Sequence, residues 1–169
     1  VRYWKQSGQR YMLDLTTTLR NVLEDTIILD QYRYGGGLGY RATASWNNEN
    51  STVLTSEGRV RDNADGTRAR WCIIEGESNA GEGRSGILFL SHPTNREHPE
   101  PLRVWPPNMH RGELFFEFCP IRLTDWAILP GKENILQYRM VVFDGEMTVE
   151  EAEMYWNAFA EQENIFLQF

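Results

Sequence analysis

The chain has 169 residues, 41% of them hydrophobic, and a formal net charge of −7, with fifteen arginines against two lysines (Lys5 and Lys132). That length suits one domain with a real core, and the negative balance excludes charge-driven binding to nucleic acid. No apolar run nears the roughly 20 residues that cross a bilayer as a helix, so no membrane span is expected.

In chain order, Leu13, Leu15, Thr17 and Leu19 alternate with Asp14, Thr16, Thr18 and Arg20. Period two in a Thr-rich segment reads as a half-exposed strand. TIILDQYRY (26–34) and GLGYRATASW (37–46) read as the second and third strands. ARWCIIEG (69–76), SGILFLSH (85–92), GELFFEFC (112–119) and ENILQYRMVVF (133–143) complete the set. Turn signals separate them, among them Asn47-Asn48, Asp65-Gly66, Pro106-Pro107 and Asp144-Gly145. The helix is TVEEAEMYWNAFAEQ (148–162), with Thr148 and Glu151 forming a capping box. Ala152, Tyr155, Trp156 and Phe159 make its apolar face, which is expected to pack on a sheet. NIFLQF then closes the chain as a short strand or packed tail. The fold class is mostly β: an antiparallel β-sandwich in a single domain with one C-terminal amphipathic helix. Cys72 and Cys119 read as buried free thiols, with a disulfide between them left open.

The segment YGGGLGYRA (34–42) raises the question of a phosphate loop. A dinucleotide loop leads into a helix whose N-terminus holds the phosphate. Here a strand-like YRATASW follows, Tyr40 stands where the last glycine would be needed, and no Lys-Ser or Lys-Thr follows. The glycines therefore mark a bulge, a bend or a close approach to the backbone, and no cofactor is expected.

YGGGLGYRATASWN, LTSEG with RDNADGTRARWCIIEG, LFLSHPTNREHPEPLRVWPPN and YRMVVFDG together resemble a bacterial family over residues 26–163. That family is labelled either "methane oxygenase PmoA" or a domain of unknown function. Its members occur beside sugar dehydrogenases and glycoside-degrading proteins, so the resemblance implies carbohydrate metabolism. It also implies a large β-sandwich similar to that of aldose epimerases. Family domains are longer at the N-terminus. The expectation is thus that Val1 starts within the sandwich, and that a second chain, a cleaved half or self-association covers open strand edges. A periplasmic or secreted location is expected ahead of a cytoplasmic one.

The densest polar cluster is SHPTNREHPEPLRVW (91–105). His92, His98 and His110 match no metal-ligand spacing, so no metal site is read from them. His92 ends an apolar strand at the sandwich rim, where functional residues collect. Arg41 and Arg139 lie in strands among apolar neighbours, where an arginine is paired or faces a cleft, with Glu57, Arg70 and Asp144 as candidate partners. Trp46, Trp71 and Trp105 could stack on sugar rings, and the prolines of VWPPN would expose Trp105. Two functional readings follow. A mutarotase- or lyase-like enzyme would use His92 with Glu57 or Glu113 as acid and base and Arg41 to orient the sugar. Trp105, Asn95, Arg139 and Tyr40 would bind it. A non-catalytic carbohydrate-binding or assembly-forming module would use aromatics and arginines alone.

Overall fold

The computed structural model describes residues 1–5, 10–78 and 83–162. In chain order the elements are β1 (Arg2–Lys5), β2 (Arg10–Arg20), β3 (Ile27–Leu29), β4 (Gly39–Arg41), β5 (Ser51–Thr55) and β6 (Arg68–Ala69). They continue with β7 (Trp71–Glu77), β8 (Arg84–Ser91), β9 (Glu100–Val104), β10 (Phe115–Phe118), β11 (Trp126–Ile128), β12 (Glu133–Asp144) and α1 (Val149–Ala160). A six-stranded sheet runs β1-β2-β12-β8-β7-β5, a four-stranded one β4-β10-β9-β6, and β11 pairs with β3. All strand pairs are antiparallel. The large sheet ends in β1 and β5 and does not close into a barrel.

Strand alternation sorts the side chains into two cores. Along β12, Leu136 and Tyr138 join Cys72, Ile74 and Phe89 against Leu102, Val104, Phe116 and Phe118 of the small sheet. Val141 and Phe143 point the other way and meet Leu88, Leu90, Trp71 and the helix residues Ala152, Tyr155 and Phe159. The central strands of the large sheet are therefore covered on both faces. This explains why β7 and β8 read as apolar runs and not as alternating ones.

The helix begins as its sequence dictates. The Thr148 hydroxyl accepts the Glu151 amide at 3.1 Å, and Glu150 and Glu151 sit in the positive first turn. Arg10 of β2 donates to the Glu151 carboxylate at 2.8 Å and to the carbonyls of Asp144 and Glu146 at 2.7 Å each, tying the helix start to the sheet.

Several elements depart from the sequence expectation. The second and third strands shrink to three residues each, β3 and β4. After β4 the chain turns, and Trp46 donates its indole N–H to the Glu77 carbonyl at 2.8 Å. The Trp46 ring lies over Gly76, where a Cβ would stand 2.5 Å from it. β9 falls inside the polar cluster 91–105, to which no strand is assigned from the sequence, and β1, β5 and β11 were not expected. Pro101 is tolerated in β9 because its nitrogen and its carbonyl both face Cys119, one residue past the end of β10, where the ladder stops; the carbonyl still accepts the Cys119 amide at 2.8 Å. Cys72 and Cys119 are both buried free thiols. The expected NIFLQF strand, 164–169, lies outside the described residues.

The glycines lead into β4 and not into a helix. Gly37 donates its amide to the Phe118 carbonyl at 3.1 Å. A Cβ there would strike that same oxygen and stand 2.6 Å from the Tyr138 hydroxyl. Gly36 has φ +72° and donates its amide to the Glu117 carboxylate at 3.0 Å. Close backbone approach is thus the reason for glycine here.

Candidate functional site

In the small sheet, Leu102, Val104, Phe116 and Phe118 face the core. Arg103 and Glu117, one residue out of phase, therefore share the outer face, and the register pairs them directly. Both are more than nine-tenths buried there.

Arg103 is the hub. Its guanidinium donates to Asp65 at 2.6 Å, to the Tyr34 hydroxyl at 3.3 Å and to the Met109 sulfur at 3.4 Å. Asp65 also accepts the Val104 amide at 3.1 Å and Arg122 at 3.2 Å. The Tyr34 hydroxyl accepts a second bond, from the Trp105 indole N–H at 3.1 Å. Its oxygen accepts both bonds, so neither of them uses its own proton. Arg61 braces the neighbouring loop by donating to the carbonyls of Trp105, Gly112 and Glu113 at 3.1, 2.7 and 2.6 Å.

The electrostatics push Tyr34 and Glu117 toward each other. Burial raises the Tyr34 phenol. The hydrogen bonds from Arg103 and Trp105 and the charges of Arg103 and Arg33 outweigh burial and leave it lowered. Burial raises the Glu117 carboxyl, and the Gly36 amide, Cys119, Arg103 and Arg122 only partly offset that. Oε1 of Glu117 takes the Gly36 amide, while Oε2 is buried with no partner, as is Nε of Arg103. Gly39 is the cross-strand partner of Glu117 on the β4 side. A Cβ at Gly39 would stand 3.7 Å from the Glu117 side chain, so no side chain of β4 covers the carboxyl there.

The residues singled out in the sequence do not gather in one place. Arg41 and Trp105 belong to this site: the Arg41 guanidinium lies 4.7 Å over the Trp105 ring. The prolines do not expose Trp105. It is 7% exposed, packed against His110 at 4.4 Å and Phe115 at 5.1 Å, so it offers no open platform. Tyr40 turns inward onto Phe89 at 5.1 Å, and burial raises its phenol. His92 and Arg139 lie beneath the helix. His92 packs edge-on against Phe159 at 5.1 Å and shares a hydrogen bond with Thr94 at 2.7 Å; burial lowers its pKa. Arg139 donates twice to Asp14, at 2.6 and 2.8 Å, and neither Glu57 nor Asp144 is its ion-pair partner. Glu57 sits on an exposed turn, 3.9 Å from Arg70, and Glu113 accepts the Arg111 amide at 2.8 Å. His92, just past the end of β8 in the large sheet, and Arg41, in β4 of the small sheet, therefore belong to different parts of the fold.

Asn95 belongs to a buried seam around Glu100. The Glu100 carboxylate accepts Ser91 at 2.6 Å, Asn95 at 2.8 Å and Tyr138 at 3.0 Å. Burial nevertheless lifts its pKa to about 7. His98 approaches the Ser91 hydroxyl at 3.3 Å, and burial drops its pKa to about 4. Every carboxylate oxygen in this seam has a partner.

Tyr34, Asp65, Arg103 and Glu117 were missed in the sequence. A usable signal was present for Glu117 and Arg103, since each interrupts an apolar run, in LFFEFC and PLRVW. Among the described residues no group of three or more His, Cys, Asp or Glu is placed to hold a metal ion. No described helix is long and apolar enough to cross a membrane.

A family model described as a family of unknown function (DUF6807) matches residues 1–157. No curated protein and no solved structure matches the chain.

Proposed function

We propose, for a chain that belongs to the DUF6807 family, that the outer face of the small sheet binds a sugar-like polyhydroxyl ligand and moves protons on it. One observation carries the reading. Arg103 bonds Tyr34 and is the cross-strand partner of Glu117, and the proton affinities of these two groups are shifted in opposite directions. A carboxyl raised toward neutrality is a better base, and a phenol lowered toward neutrality a better acid. The unpartnered Oε2 of Glu117 is the basic atom. The free O–H of Tyr34 is the acid, and its phenolate would be stabilised by Arg103 and Trp105. On an aldose hemiacetal, Glu117 takes the anomeric hydroxyl proton while Tyr34 protonates the ring oxygen as the C1–O bond breaks. Reclosure on the other face of the carbonyl inverts C1 and returns both protons. The resemblance over residues 26–163 to a family found beside sugar dehydrogenases supports a sugar as the ligand. The acid–base pair is then Glu117 with Tyr34 in place of Glu57 with His92.

The test is polarimetry on freshly dissolved α-aldoses, with a panel of glycosides and keto-sugars followed by NMR. We expect acceleration that falls by about 100-fold or more in Glu117→Gln and in Tyr34→Phe, the usual span of general acid–base catalysis. No acceleration by the wild-type protein on any member of the panel would overturn the catalytic reading. A second reading, a non-catalytic sugar-binding module, is favoured by the burial of Oε2 of Glu117; it predicts binding with unchanged sugars.

A further inference from the structure

We infer that the ligand of this face is an anion, a sugar or polyol bearing a carboxylate, captured by Arg33 and Arg41. The inference rests on the ligand site proposed above and names its substrate class. Four guanidiniums gather there. Arg103 and Arg122 converge on one acid, Asp65. Arg33 lies 5.4 Å over the Tyr34 ring and Arg41 lies 4.7 Å over the Trp105 ring. Tyr34 and Trp105 are themselves joined by the 3.1 Å hydrogen bond, so the two exposed cations lie over rings that are neighbours. Neither forms an ion pair among the described residues. Most of the other arginines in the strands and loops do, as with Arg10, Arg68, Arg70, Arg84 and Arg139.

The charge at the site is the reverse of the charge of the chain. Four guanidiniums face two carboxylates, Asp65 and Glu117, in a protein of net charge −7. The site is positive by two charges even with Glu117 ionised. A neutral sugar gains nothing from that excess. A carboxylate fits it, because a planar guanidinium fork meets a planar carboxylate with two parallel bonds. Each of Arg33 and Arg41 lies over an aromatic ring face, which holds its cation at the surface. A dianionic phosphate is less suited, since it would bring two charges close to Asp65 and Glu117, and among the described residues no helix N-terminus lies at this face to receive it.

Calorimetric titration of the intact protein with glucuronate, glucose and glucose 6-phosphate tests this. We expect glucuronate to bind about tenfold or more tighter than glucose at low salt, and less so as salt rises. Arg33→Gln with Arg41→Gln, which keeps polar side chains over both rings, should bring glucuronate down to the glucose level. Circular dichroism checks that this variant stays folded. Gly39→Leu, which lays a side chain over Glu117, should abolish binding of all three. Equal binding of glucuronate and glucose, both lost in Gly39→Leu, would overturn the anion inference and leave the site standing. Glucuronate binding untouched by Gly39→Leu would overturn the site itself. Tighter binding of glucose 6-phosphate than of glucuronate would overturn the choice of carboxylate, and no binding of any of the three would overturn the whole inference.

Discussion

Glu100 and His98 should give opposite pH dependences of stability that conceal one another in the wild-type protein. Glu100 is an acid whose pKa rises from 4.5 to about 7 on folding, because burial penalises its charge. The folded state then binds more protons than the unfolded state between those two values, so stability falls as pH rises through that window. At about 1.4 kcal/mol per pH unit, the full loss is on the order of 3 kcal/mol. His98 is a base whose pKa drops from 6.5 to about 4 for the same reason. Its unfolded form binds the extra proton, so stability rises with pH from about 4 to 6.5. The His98 ring is only partly buried, and solvent screening reduces its share to about 2 kcal/mol. His92, also held low by burial, adds in the same direction.

Wild-type stability should therefore stay nearly level between about pH 4.5 and 6.5 and decline modestly above. Glu100→Gln removes the falling limb. Its stability should climb with pH, and its difference from wild type should grow by about 3 kcal/mol between about pH 4 and pH 8. His98→Asn removes most of the rising limb and should expose the fall. Urea unfolding followed by tryptophan fluorescence across that range measures both. If Glu100→Gln tracked wild type in parallel, within about 0.5 kcal/mol at every pH, the raised proton affinity of Glu100 would be refuted, whatever the mean stability of the variant.

Gly37→Ala should cost about 2–4 kcal/mol, because its Cβ would strike the Phe118 carbonyl and crowd Tyr138. Gly39→Ala should stay within about 0.5 kcal/mol, since its Cβ meets only Glu117, at 3.7 Å; urea melts of the two variants decide between close approach and generic flexibility. Arg139→Ala should lose about 3–5 kcal/mol by leaving Asp14 without its guanidinium. Asp14→Leu with Arg139→Met should recover most of that loss, which a double-mutant cycle reads directly.

The long strands and the helix were legible because each is decided locally. β2 shows its period-two pattern, β12 is a long run rich in branched and aromatic residues, and α1 carries its own capping box. β9 was illegible because Pro99 and Pro101 argue for a loop, and Pro101 is harmless only because its missing donor faces Cys119, past the end of β10. The third strand was overextended because YRATASW keeps a strand-like pattern, while Trp46 leaves the sheet to cover Gly76. The site was illegible for a different reason. Arg103 and Glu117 meet only through the register of β9 on β10, and Tyr34 reaches them only because the glycines press the chain against β10. His92 was misleading because a histidine at a strand end reads the same whether it faces a rim or, as here, the underside of a helix.

Glu100 and Glu117 show why a raised carboxyl pKa does not by itself mark a reactive group. Burial is the first cause for both. Glu100 is the more perturbed, yet its oxygens take three donors, from Ser91, Asn95 and Tyr138. Those bonds lock the 91–100 segment to β12, and a substrate proton would have to displace one of them. Glu117 is less perturbed, but it spends one oxygen on the Gly36 amide and leaves the other with nothing. A buried acceptor without a donor costs about 1–3 kcal/mol. Glu117 Oε2 carries this cost beside an equally unsatisfied Arg103 Nε. That difference, and not the size of either shift, is why the proposed chemistry is assigned to Glu117 and not to Glu100.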